Sequence, residues 1–86
     1  MIVHVEFTPQ ALEDLAQLDS GIANLIAAKI QWLSERYDHT QPEYLTGRFA
    51  GLYKLRVGDW RVLYTIDPAK RIMTIHVIAH RSKVYK

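Results

Sequence analysis

Hydrophobic and polar positions follow two different periods along the chain. Val3, Val5 and Phe7 alternate with His4 and Glu6, the two-residue repeat of a short half-buried strand. Thr8 followed by Pro9 predicts a helix start, because threonine caps the first free N–H groups and proline lacks the N–H that would go unpaired there. Leu12, Leu15 and Leu18, with Ala11 and Ala16 beside them, form one apolar stripe at helical spacing. Asp19-Ser20-Gly21 interrupts it. A second helix is predicted with Ile22, Leu25, Ile26, Ile30 and Leu33 facing inward, Trp32 widening the stripe, and an end near Tyr37 or Asp38. So short a connection makes the two helices an antiparallel hairpin. Residues 39–47, with Pro42 and Gly47, read as a loop.

The period returns to two in Leu52–Thr65. Gly58-Asp59 between two alternating runs predicts a two-residue hairpin turn in which glycine supplies a positive φ. That turn fixes the register: Val57 faces Trp60, Leu55 faces Val62, and Tyr53 faces Tyr64. One side is then wholly apolar or aromatic and packs on the helices. The other carries Leu52, Lys54, Arg56, Arg61, Leu63 and Thr65, with Arg56 directly across from Arg61. Facing like charges oppose pairing, and no carboxylate on either strand shares their side, so an external anion is the expected counter-charge.

Asp67-Pro68-Ala69-Lys70 predicts a turn into a third strand. Unbroken alternation puts Met73, Ile75, Val77 and Ala79 on the apolar side, and Thr74, His76 and Ile78 on the cationic side with His76 beside Arg61. It would also bury Arg81, so the strand is expected to bend or stop near His80. The closing residues 81–86 are too few for a further full element.

The expected class is therefore α+β: one small two-layer domain over residues 1–86, ordered strand, two helices and an antiparallel three-strand meander (β-α-α-β-β-β). The chain has 86 residues, enough for one core, and no internal repeat or linker. Zero cysteines exclude disulfides, thiolate nucleophiles and cysteine-ligated zinc. With no leader and no apolar run near the roughly 20 residues of a membrane span, the expected location is the cytoplasm, away from membranes.

Charge sharpens this picture. The formal net charge is only +2, but residues 1–47 hold two cations against seven anions and residues 48–86 hold nine cations against two anions. Such a division predicts a basic surface for a polyanion, nucleic acid first. No cofactor or metal is expected, since there is no glycine-rich phosphate loop, nucleophile elbow or paired-carboxylate motif, and the four histidines lack ligand spacing.

The element order, with LYKLR, VGDWRVLYTID and the closing AHRSKVY, resembles the RelE/ParE superfamily of toxins over nearly the whole chain. The resemblance implies a toxin of a type II toxin–antitoxin system, restrained by a cognate antitoxin. In the RelE-like branch it further implies a ribosome-dependent endoribonuclease that cleaves messenger RNA in the decoding site. Carried over, the catalytic set is Lys54, Arg56, Arg61, Arg81 and Tyr85. Position 56 is arginine where RelE itself has lysine, which keeps the charge and changes the donor geometry. Lys54, Arg56 and Arg61 would hold the phosphate, joined in RNA binding by His80 and Lys83; Arg81 would stabilise developing charge, and Tyr85 would orient or deprotonate the 2′-OH. The alternative is the ParE branch, which shares the fold, poisons DNA gyrase and lacks that set.

The chemistry is coherent on physical grounds. Attack of a ribose 2′-OH on the adjacent phosphorus builds charge on phosphate oxygens that fixed cations can stabilise. A tyrosine base, with an ordinary pKa of about 10, needs help from surrounding cations, whereas His76 and His80 start near 6.5 and are rival proton carriers. Each residue also has a plainer reading: Arg61 as a brace of the sheet, Tyr85 as a ring packed on a helix, Lys54 as a solvated lysine. Trp32, Tyr53, Trp60 and Tyr64 are read as core; Tyr44, in the loop, as packing or base-stacking.

Overall fold

The computed structural model describes residues 2–39, 43–45 and 47–84. Strand β1 (His4–Phe7) leads to helix α1 (Pro9–Ala16) and helix α2 (Ser20–Glu35), followed by a 3₁₀ turn at Tyr37–His39. Strand β2 (Glu43–Tyr44), a second 3₁₀ turn (Gly47–Phe49), strands β3 (Tyr53–Val57), β4 (Trp60–Asp67) and β5 (Ile72–His80), and a single helical turn α3 (Arg81–Val84) complete the order. The α+β class and the element order agree with the sequence. The sheet has five strands rather than four, ordered β1-β5-β4-β3-β2, with β1 parallel to β5 and the other pairs antiparallel. The added strand lies inside the predicted loop, where two residues are too few to show a period.

Both helices begin as their caps dictate. Thr8 accepts from the Ala11 N–H at 3.1 Å with Pro9 in the first turn, and Asp19 accepts from the Ile22 N–H at 3.2 Å. The buried stripes are narrower than predicted. Ala11 is fully buried, with Leu15 and Leu18 packed on the core, whereas Leu12 is 54% exposed. On α2 the inward line is Ile22, Ile26, Ile30 and Leu33, while Leu25 and Trp32, seven residues apart, share an exposed flank. Leu12, Leu25 and Trp32 each lie about 100° around from a true core position, so an inventory of apolar residues overcounts the buried face. Trp32 is partly shielded instead by Lys29, whose ammonium lies 4.1 Å from the ring centroid, and by Arg36 at 5.5 Å. No helix of the described residues is long and apolar enough to cross a membrane.

The β3–β4 hairpin has the predicted register throughout: Tyr53 opposite Tyr64, Leu55 opposite Val62, Arg56 opposite Arg61 and Val57 opposite Trp60, across a turn with Gly58 at φ +60. Since Asp59 keeps a negative φ, glycine is needed only at the first turn position. The next connection pairs Asp67 with Ile72, and its last residue, Arg71, takes a φ of +56.

Strand β5 departs from the alternation expected of it. Tyr64 pairs with Ile75 but Leu63 pairs with Val77, so His76 is an extra residue in a β-bulge. Beyond the bulge the faces are exchanged relative to simple alternation. Ile78 pairs with Val62 and joins the core, whereas Val77 and Ala79 sit opposite Leu63 and Arg61 on the other side. The freed Ile78 N–H, past the end of β1, donates to the Asp14 carboxylate of α1 at 3.1 Å. The helix-side core comprises Val3, Ala11, Ile26, Ile30, Leu33, Val57, Val62, Tyr64, Met73, Ile75 and Ile78. Leu63 and Val84 are also buried but stand outside this cluster, and α3 lies against β4 and β5.

Candidate anion-binding face

Alternation on β3 and β4 turns Lys54, Arg56 and Arg61 away from the helix-side core, with Arg56 and Arg61 directly paired. The face is less open than the sequence implies: Leu63 is fully buried and Arg61 only 7% exposed. Nor are the cations without an internal counter-charge. Glu43 on β2 pairs in register with Lys54, and its carboxylate spans two neighbours, 3.4 Å from the Lys54 ammonium and 3.4 Å from Nε of Arg56. The expected absence of a carboxylate holds for the two hairpin strands and fails for the sheet, because a third strand supplies one. Lys54 is therefore not an ordinary solvated lysine: its side chain is 8% exposed, against 59% for Arg56.

Arg61 is held tightly. Its Nη1 donates to the carbonyls of Gly58 and Trp60, both at 2.8 Å, so the guanidinium braces the hairpin turn. Arg81 comes to the same turn from the other side. Its backbone N–H donates to the Asp59 carbonyl at 2.8 Å, and its exposed guanidinium lies 3.5 Å from the Asp59 carboxylate. Strand β5 ends at His80, as expected, and the bulge gives position 81 the same parity as Ala79 and Arg61. The extra residue thus removes the burial of Arg81 that unbroken alternation would impose.

The histidines separate in role. His76 does not sit beside Arg61, which faces Ala79; its Nε2 lies 2.9 Å from the Thr65 hydroxyl, because the bulge displaces it from the regular ladder. At the start of α3, His80 Nδ1 accepts from the Ser82 N–H at 3.2 Å and lies 3.0 Å from the Ser82 hydroxyl. An acceptor at Nδ1 places the hydrogen of the neutral ring on Nε2, so His80 in this position presents Nε2–H as a donor. Its ring meets Trp60 edge to face, with centroids 5.5 Å apart. Lys83 is exposed on α3. Tyr85 lies outside the described residues.

Two tyrosines are held more firmly in the neutral phenol form. Burial, reinforced by Tyr37 and Tyr53, pushes the Tyr64 phenol up to about 12, and burial also raises Tyr37. Tyr44 lies on β2, 57% exposed, with its ring against Tyr53 at 5.3 Å. Among the described residues no three metal-ligating side chains converge. A cavity of about 390 Å³ opens on the helix side, between Asp14 of α1, Trp60, Ile78 and the His80–Lys83 corner.

Two residues of the face escaped the sequence reading. Glu43 gave no signal, since nothing in the loop composition announces a strand. Asp59 reads in the sequence as a turn residue, and its place beside Gly58 puts its carboxylate where β5 ends.

Comparison with known proteins identifies the family. The model of the family described as ParE toxin of type II toxin-antitoxin system, parDE, matches residues 5–85. The chain is 32% identical over 83 residues to Toxin RelE of Mycobacterium tuberculosis, covering 96% of this chain and 86% of that protein. Among solved structures, the RelBE2 toxin–antitoxin complex of the same organism aligns at a TM-score of 0.82 with 28% identity, covering 95% of each chain. The archaeal RelE–RelB complex of Pyrococcus horikoshii aligns at 0.74 with 20% identity, over 96% of this chain and 99% of that one, a likeness of fold. By the family model over residues 5–85, the identity to Toxin RelE and the shared order of elements, the chain belongs to the RelE/ParE superfamily of toxins of type II toxin–antitoxin systems.

Proposed function

We propose that this toxin is a ribosome-dependent endoribonuclease that cleaves messenger RNA in the decoding site, stops translation in the cytoplasm, and is neutralised by a cognate antitoxin. In the reaction the ribose 2′-oxygen bonds to the adjacent phosphorus, the bond from phosphorus to the 5′-oxygen breaks, and one proton leaves the 2′-OH while another reaches the 5′-oxygen. Lys54, Arg56 and Arg61 hold the phosphate, Arg61 already fixed by its two carbonyl contacts and so needing little reorganisation. Arg81 stabilises the charge that develops. Tyr85 remains the assigned group for the 2′-OH, and His80 serves RNA binding through its Nε2–H together with Lys83. The observation that carries this reading is the meeting of Arg61 and Arg81 at one turn, the first on the Gly58 carbonyl and the second on Asp59, beside the Arg56–Arg61 pair.

A second reading, inhibition of DNA gyrase without nuclease activity, is favoured by the match to a family described by its ParE members. One experiment separates the two. The protein is induced in growing bacteria, messenger 5′ ends are mapped by primer extension, and the mapping is repeated with Arg61→Ala and Arg81→Ala. New ends within translated frames that disappear in both variants support the nuclease. Intact messengers together with inhibited supercoiling by purified gyrase refute it in favour of the second reading.

A further inference from the structure

Glu43 stands where a phosphodiester would stand on the proposed reading. Its two carboxylate oxygens each face a different cation, one the Lys54 ammonium and the other Arg56 Nε, both at 3.4 Å. Two non-bridging phosphate oxygens would address the same donors in the same way. The contact is also loose. The side chain is 52% exposed, its distances exceed those of a tight charge-assisted hydrogen bond, and β2 contributes only two residues at the sheet edge. A half-exposed carboxylate of this kind is easily displaced by a stronger anion. Lys54 differs from it: its side chain is only 8% exposed, and Glu43 places a carboxylate oxygen beside its ammonium.

We propose that Glu43 is a built-in competitor for the phosphate site: it occupies Lys54 and Arg56 in the free protein, must be displaced by an RNA backbone, and thereby lowers affinity for RNA that is not otherwise held in place. This deepens the proposed function and rests on its assignment of Lys54 and Arg56 to phosphate. The consequence is selectivity. A loose polyanion has to supply the displacement from its own binding energy, whereas RNA positioned by a larger assembly arrives with that cost already met.

The test uses a short RNA with 2′-O-methyl riboses, which cannot supply the attacking hydroxyl and therefore reports binding alone. Affinity is measured by fluorescence anisotropy across a salt series for the wild type, Glu43→Gln, Glu43→Ala, Lys54→Ala/Arg56→Ala, and the latter pair combined with Glu43→Gln, each confirmed as folded by circular dichroism. Glu43→Gln should bind about fivefold more tightly, with a log–log salt slope steeper by about 0.7, as for one more neutralised phosphate on a single strand. Glu43→Ala should behave alike, and the gain should vanish when Lys54 and Arg56 are absent. If the Lys54→Ala/Arg56→Ala pair weakens binding but Glu43→Gln and Glu43→Ala do not strengthen it, the competitor is refuted while the phosphate site stands. A gain that persists without the two cations refutes it as a mere change of net charge. Should the cation pair have no effect on affinity, the phosphate assignment itself fails and the competitor falls with it.

Discussion

Arg61 donates from Nη1 to two carbonyls of the turn beside it and is almost wholly enclosed, so one side chain serves both the hairpin and the proposed chemistry. Arg61→Ala should therefore lower folding stability by about 1–3 kcal/mol as well as remove cleavage, read as a drop in the urea midpoint. Arg61→Lys keeps the charge but loses the planar fork, so stability should fall by less while cleavage still suffers. Tyr64 yields a pH prediction. Its phenol titrates near 12 in the fold against about 10 in an unfolded chain, so the neutral form is favoured by folding. That contribution is complete below pH 10 and is lost as pH rises from 10 to 12. Urea midpoints measured across this window should decline, and Tyr64→Phe should flatten the decline. The sequence already held both readings of Arg61, brace and phosphate ligand. It could not hold the tautomer of His80, which depends on a four-residue helical turn whose start places the Ser82 N–H on Nδ1.

Among the elements, the β3–β4 hairpin was legible to the residue because a two-residue turn leaves only one register in which both apolar runs share a face. The first helix was legible in position through its Thr8–Pro9 cap and the second through its apolar spacing after the Asp19–Gly21 break, and both less so in orientation, since Leu12, Leu25 and Trp32 are apolar without being central to their stripes. Strand β2 was invisible, and with it Glu43, because pairing of two residues is decided by the strand they meet. The bulge in β5 was equally hidden: nothing in IMTIHVIAH distinguishes an extra residue from a regular one. Its repair by α1 is testable. Asp14→Ala leaves the Ile78 N–H without its carboxylate and should cost about 1–3 kcal/mol, with faster amide exchange at Ile78. Asp14→Asn retains an acceptor oxygen and should lose less.

For the molecule as a whole, the acidic first half and basic second half are not separate surfaces, since Glu43 crosses from one to the other through the sheet edge. What folding adds to the sequence is a pairing of those charges: Lys54 and Arg56 with Glu43, and Arg81 with Asp59. The family and the α+β order were readable because caps, turns and period agreed; the internal ion pairs were not, because each joins residues from different strands or strand ends. RNA affinity should fall steeply with salt, and more steeply once Glu43 is neutral, a comparison the binding series makes directly.

The extra residue in β5 also acts as slack. Tyr64 is matched to Ile75 and Leu63 to Val77 with His76 left over, so excising His76 would close the gap and leave every downstream pair as it stands, down to Trp60 opposite His80 and Arg81 at the Asp59 turn. The strand would lose its link to Thr65 and keep its far end in phase. In that sense the bulge absorbs a one-residue change in chain length, and the side of the sheet on which this toxin displays its last arginine is set by strand pairing and not by the residue count.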